Sequence, residues 1–80
     1  MPYITKLRRY QLLSGEVAQT AGELNFEITS LIKEYWQHGP QNYQVINDII
    51  GALEGSKAEF QRRVVADYEN KKIKENGDVY

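Results

Sequence analysis

The apolar positions of this 80-residue chain fall into stripes with helical spacing, and the longest stripe lies between Asn42 and Lys74, a stretch without proline. From Ile46 onward, apolar or aromatic residues recur at Ile49, Ile50, Leu53, Phe60, Val64 and Tyr68, mostly three or four apart, which sets them along one side of an α-helix. Only Lys57 interrupts the run, and its methylene stem can lie along apolar surface with the ammonium in water. Both ends are marked. Asn42, just after Gly39-Pro40, is a good N-cap, its side-chain oxygen able to accept from an unpaired amide of the first turn. Lys71, Lys72 and Lys74 set positive charge at the negative pole, and Asn76-Gly77 follow as a stop. The spacing predicts one long helix over 42–74.

A second stripe precedes it. Thr20-Ala21-Gly22-Glu23 fits a capping box, the threonine hydroxyl accepting from the Glu23 amide and the carboxylate reaching back to the Thr20 amide. Leu24, Ile28, Leu31, Ile32 and Tyr35 then form an apolar face that ends at Gly39-Pro40, which predicts a helix over 20–38. Asn25 and Thr29, four apart beside that face, are expected to make hydrogen bonds between helices. The short connection folds this helix back antiparallel on the long one, as a helical hairpin.

Earlier still, Ser14 to Gln19 resembles a helix start of one or two turns; alternatively the helix begins at Ser14 and kinks at Gly22. Met1 to Leu13 carries Tyr3, Ile4, Leu7, Tyr10 and Leu13 at helix-like spacing, and reads as an arm leading into a short helix. The tail ENGDVY, ending in Val79-Tyr80, is polar and turn-like. The predicted fold is all-α: one domain, 1–80, built as a helical hairpin with a long C-terminal helix.

Two features of the long helix point to self-association into a homo-oligomeric bundle. Gly51 and Gly55 each cost about 1 kcal/mol relative to alanine; they either are tolerated or mark a bend or, being four apart, leave a shallow notch beside Ala52 where a second helix could approach. A helix of about thirty residues also runs about 45 Å, long for a chain whose globule would have a radius of gyration of about 12 Å. The cheapest partner along its length is another copy.

Composition narrows the function more than it names one. The chain holds no cysteine, which excludes a disulfide framework, a thiolate zinc site and a cysteine nucleophile. Lys and Arg number 10 against 11 Asp and Glu, for a net charge of -1 that argues against duplex DNA as a partner. No apolar run is long enough to span a membrane, and MPYITKLRRY lacks the apolar core of a secretion signal, so a soluble, cytoplasmic protein without a membrane partner is expected.

Catalytic patterns are missing from the sequence. His38, the single histidine, falls at a predicted helix C-terminus, where its role is favourable charge at the negative pole when protonated. Neither Gly51 nor Gly55 is placed as in a phosphate loop. Glu23 and Glu27 are four apart on the first helix, but capping accounts for Glu23 and solvated surface for Glu27, and Asp48, Glu54 and Glu59 on the second are not stacked on one narrow face, so no set converges on a divalent cation. No metal, no cofactor and no enzymatic turnover are expected.

The constellation that remains is basic and aromatic. Lys57, Arg62 and Arg63 lie midway along the long helix, and the planar fork of arginine suits bidentate contact with phosphate. In the N-terminal segment Lys6, Arg8 and Arg9 sit beside Tyr3 and Tyr10, with no acidic residue before Glu16. Tyr35, Trp36 and Tyr43 add ring faces on which a base could stack. Each group also has a plain structural reading. Glu59 stands four before Arg63 in the favourable order for an intrahelical pair, aromatic residues at helical spacing are usually core, and a basic terminus can be a solvated segment.

Two resemblances bear on the choice. The runs GELNFEIT (Gly22 to Thr29) and INDIIGALEGSKAEFQRRVVADYENKKIKENGDVY (Ile46 to Tyr80) resemble a family of short, largely uncharacterised proteins found mostly in bacteriophages. That likeness covers most of the chain and names no activity. In layout, with a basic arm, a helix, a break and a long helix with arginines after its LEGSKAEF centre, the chain is similar to the helical-hairpin proteins with which phages sequester cyclic nucleotide alarm signals. This second resemblance implies a non-catalytic sponge in an infected bacterial cell, with Tyr10 stacking on the ligand and Arg8, Arg9 and Arg62 or Arg63 on its phosphates. The rival expectation is an inhibitor or adaptor whose exposed aromatic face docks on a host or virion protein.

Overall fold

The structure, a computed structural model, describes residues 4–80. Its regular elements are all helical: α1 (Lys6–Leu13), α2 (Ala21–Gln37), α3 (Tyr43–Phe60), a π turn (Gln61–Val65) and α4 (Ala66–Asn76). The last three run on without a break, since Phe60, Gln61, Val65 and Ala66 all keep right-handed helical backbone angles. The chain divides into two compact units, Met1–Gln41 and Asn42–Tyr80.

In the first unit, α1 starts at Thr5, whose hydroxyl accepts from the Arg8 amide at 3.1 Å. It is the short helix expected in this segment; Tyr3 lies outside the described residues. The expected helix start over Ser14 to Gln19 is not made. Ser14 closes α1 instead, its amide donating to the Tyr10 and Gln11 carbonyls and its hydroxyl to Tyr10 at 2.8 Å. Gly15 follows at φ 105°, a left-handed conformation that takes the chain out of the helix. Residues 16–19 then have no regular structure.

Thr20 caps α2 as predicted, its hydroxyl accepting from the Glu23 amide at 3.1 Å. The return half of the capping box differs. The Glu23 carboxylate accepts from the Gln19 amide at 2.9 Å, one residue before the Thr20 amide. Asn25 and Thr29 also depart from expectation: the Thr29 hydroxyl donates to the Asn25 side chain at 3.2 Å on the exposed surface, so the pair satisfies itself along α2. His38 ends the helix, with its amide and its Nδ1 both on the Glu34 carbonyl oxygen, at 3.1 and 2.8 Å.

The second unit is a single long helix. Asn42 caps it, accepting from the Val45 amide at 3.0 Å. It runs two residues beyond the predicted end, to Asn76, and Gly77 at φ 82° stops it while donating to the Ile73 carbonyl at 2.8 Å. The π turn was not anticipated. There the Ala66 amide reaches back five residues to the Gln61 carbonyl in place of four. Nothing in QRRVV, which has neither glycine nor proline, marks it. Past the stop, Val79 and Tyr80 stand exposed.

Leu12, at 4% exposure, is the one buried residue among those described. The α2 positions Leu24, Ile28, Leu31 and Tyr35, expected to face a core, are exposed, and only Ile32 of that set is half-buried. The long helix likewise exposes Ile46, Ile50, Leu53, Phe60, Val64 and Tyr68. Burying one leucine is worth about 2 kcal/mol, against about 1–2 kcal/mol to fix the backbone of each ordered residue. A Cβ built on Gly51 or Gly55 meets nothing within 4 Å.

Candidate functional site

Two groups of side chains carry the chemistry, one in each unit. In the first, the Arg8 guanidinium lies against α2. Its Nε donates to Glu23 Oε2 at 2.9 Å and its Nη2 to Glu23 Oε1 at 2.8 Å, a fork-to-fork pair. Nη2 also donates to the Val17 carbonyl at 2.9 Å, which pins the segment between the helices. Nη1 reaches Gln11 at 3.4 Å and lies 3.7 Å from the Glu16 carboxylate. The two side chains are largely covered, at 17% and 15% exposure. Glu23 is held below the usual carboxylate range, chiefly by the Arg8 hydrogen bonds and then by the Gln19 amide, while the same contact raises Arg8.

Arg8 is therefore engaged in holding α1 and the linker onto α2, and little of its fork is left for a ligand. Its neighbours Arg9 and Tyr10 on α1 are exposed.

Beside this clasp is an open groove of about 630 Å³ between α1, the linker and α2. Leu12, Leu13, Val17, Leu24, Ile28 and Leu31 supply its apolar surface. Glu16, Glu27 and Glu34 are the charged residues of its lining, and no lysine or arginine is among them. Sequence reasoning missed this groove, although its signal was present: Leu12-Leu13 and Val17 flank a glycine turn and precede the Leu24, Ile28, Leu31 stripe.

In the second unit, Arg62 and Arg63 sit in the π turn and share one acceptor. Arg62 Nη2 and Arg63 Nε each donate to Glu59 Oε2 at 2.8 Å. Those bonds hold the Glu59 carboxyl below its usual range, Arg63 contributing most. Both arginines are open to water, at 64% and 69% exposure, so such pairs add little to stability and exchange readily. Lys57 lies one turn before, exposed on the apolar stripe of α3. Tyr10, Arg8 and Arg9 thus belong to one unit, and Lys57, Arg62 and Arg63 to the other.

Among the described residues, no group of three or more His, Asp or Glu side chains is arranged to hold a metal ion, and no helix is long and apolar enough to cross a membrane. A family model described as a domain of unknown function (DUF6899) matches residues 1–79. The chain belongs to that family. Neither a curated protein nor a solved structure matches it. With DUF6899 spanning both units, the clasp, the groove and the arginine pair all fall inside the matched domain.

Proposed function

We propose that this DUF6899 chain is a non-catalytic, all-helical binding protein that self-associates through its long helix and sequesters an anionic signalling nucleotide, of the kind a phage-type anti-defence protein would remove in an infected cell. The observation that supports the ligand class is the π turn, which carries two adjacent, solvent-open arginines on a single carboxylate. Such turns inside α-helices are frequent at functional sites. Two guanidinium forks that share one acceptor have donors to spare, and a phosphate with three oxygens takes them better than one carboxylate oxygen does. Arg9 and Tyr10 remain available as a second cation and a stacking face. Arg8 drops out of the ligand set because Glu23 holds it.

The test is a thermal-shift screen against cyclic dinucleotides, cyclic trinucleotides and ADP-ribose derivatives, with light scattering on the same sample. A ligand at 100 times its dissociation constant adds about 2.7 kcal/mol. The expected result is a clear rise with one class, ligand recovered unchanged after denaturation, and loss of the shift in Arg62→Ala or Arg63→Ala with helicity kept. No shift from any of them removes the nucleotide reading.

A second reading has its own support. The apolar groove rimmed by glutamates suits protein surface better than phosphate, which favours an adaptor or inhibitor acting on a host or virion protein. It predicts a partner retained on the native chain and released by Leu31→Asp in the groove.

A further inference from the structure

The long helix carries an anomaly that its ligand-binding reading does not use. Lys57 stands on the apolar stripe itself, between Leu53 on one side and Phe60 on the other, both exposed. Arg62 and Arg63 both pair with Glu59, whereas Lys57 has no ion-pair partner among the described residues. An apolar stripe with one cation at its centre needs a complementary surface that is apolar with an anion at its edge.

The first unit offers that surface. The groove is apolar along Leu24, Ile28 and Leu31, and its lining includes Glu27 and Glu34, neither of which has an ion-pair partner among the described residues; Glu16, the third, is partly neutralised by Arg8. The lengths agree as well. Leu24 to Leu31 along α2 and Leu53 to Phe60 along α3 each span about 10 Å. Every charge in the groove is negative and the one charge on the stripe is positive.

We infer that the groove between α1 and α2 of one copy receives the Leu53–Phe60 stretch of a second copy, with Lys57 of the second against Glu27 or Glu34 of the first. The inference rests on self-association and names the surfaces that meet. It also moves Lys57 from the ligand set to the subunit boundary. The contact is between unlike surfaces, so each copy has one of each to offer, and two copies can close on each other by exchanging both. Apolar contact supplies the attraction, and the charges fix the register.

The test is a charge exchange between chains. Glu27→Lys with Glu34→Lys reverses the groove, and Lys57→Glu reverses the stripe. Each variant alone sets like charges together and is expected to weaken self-association about tenfold or more, while an equimolar mixture associates again, because each variant then meets its opposite. Light scattering and sedimentation read both states, and circular dichroism checks that the helices persist. The chain holds no native cysteine, so a second measurement keeps the result open should a reversed chain unfold. Leu31→Cys in one copy and Phe60→Cys in another should cross-link on mild oxidation far faster than either variant with itself.

Native-like association of both reversed variants, or Leu31→Cys and Phe60→Cys copies that do not cross-link preferentially, overturns this docking while leaving self-association by another face intact. A native chain that is monomeric at all concentrations overturns both together. A coupling between the reversed positions that appears only within one chain also overturns it, since the groove is then filled from the same molecule.

Discussion

Arg8 and Glu23 meet as two parallel hydrogen bonds, at 2.9 and 2.8 Å, across fifteen residues of sequence. No other side-chain ion pair among the described residues joins two separate helices; the pairs of the long helix are all three or four apart. The contact works because arginine presents two N–H groups in one plane to the two oxygens of a carboxylate, with a third bond from the same guanidinium to Val17. Removing it should free α1 and collapse the groove that α1 helps to wall.

Arg8→Lys is expected to recover only part of what Arg8→Ala loses, since an ammonium cannot span both carboxylate oxygens and reach Val17 as well. Thermal melts rank the three chains as native, lysine, alanine. Hydrogen exchange at residues 6–13 should rise in the same order, with the long helix unaffected.

The Glu23 carboxyl titrates below the usual carboxylate range because Arg8 and then the Gln19 amide stabilise its charged form. A depressed folded-state value means that this stabilisation is complete above the unfolded-state value and is lost as pH falls through the folded one. Native melting temperature should therefore decline on acidification below the usual carboxylate range, with α1 loosening first. Glu23→Gln should be less stable at neutral pH and show a shallower acid slope.

Leu12→Ala removes the one buried apolar side chain of the described structure and should cost about 2–4 kcal/mol. In a chain this small that is a large share of total stability. Denaturant titration should show the midpoint fall, and a loss of the first unit's cooperative unfolding while the helicity of the second persists would place Leu12 as that unit's own core.

Gly51→Ala and Gly55→Ala should each raise helix stability by about 1 kcal/mol, because a Cβ at either position stands in open space. Circular dichroism on heating reads the gain. A fall in self-association alongside it would show that a second helix uses the notch.

Much of this architecture was legible because it is local. Thr20 and Asn42 announce their helices through side chains that satisfy amides three residues on, and Gly77 announces an end through a conformation that few other residues adopt. The Arg62 and Arg63 partnership with Glu59 is local in the same way. What escaped is what needs distant residues to meet. Glu23 read as a capping residue, and its spacing from Arg8 carries no periodicity that could betray the pair. Ser14 read as a start because its side chain suits either end of a helix, and only the left-handed Gly15 decides. The groove arises from packing of α1 on α2, which a stripe of leucines announces without saying what it will face.

The π turn has a mechanical meaning for the long helix. Each residue of an α-helix advances the side chains by about 100°, and one amide reaching back five residues winds an extra residue into a single turn. Everything after Val65 is therefore out of phase with everything before Gln61 by roughly a quarter of a revolution. Val64, aligned with Ile46 and Leu53 on paper, is turned aside, and Val65 comes round toward their meridian; it is half-covered where Val64 is open. A straight rod that seemed to offer one continuous seam thus has two, pointing different ways, so the surface that covers α3 cannot be the flat continuation of the one that covers α4.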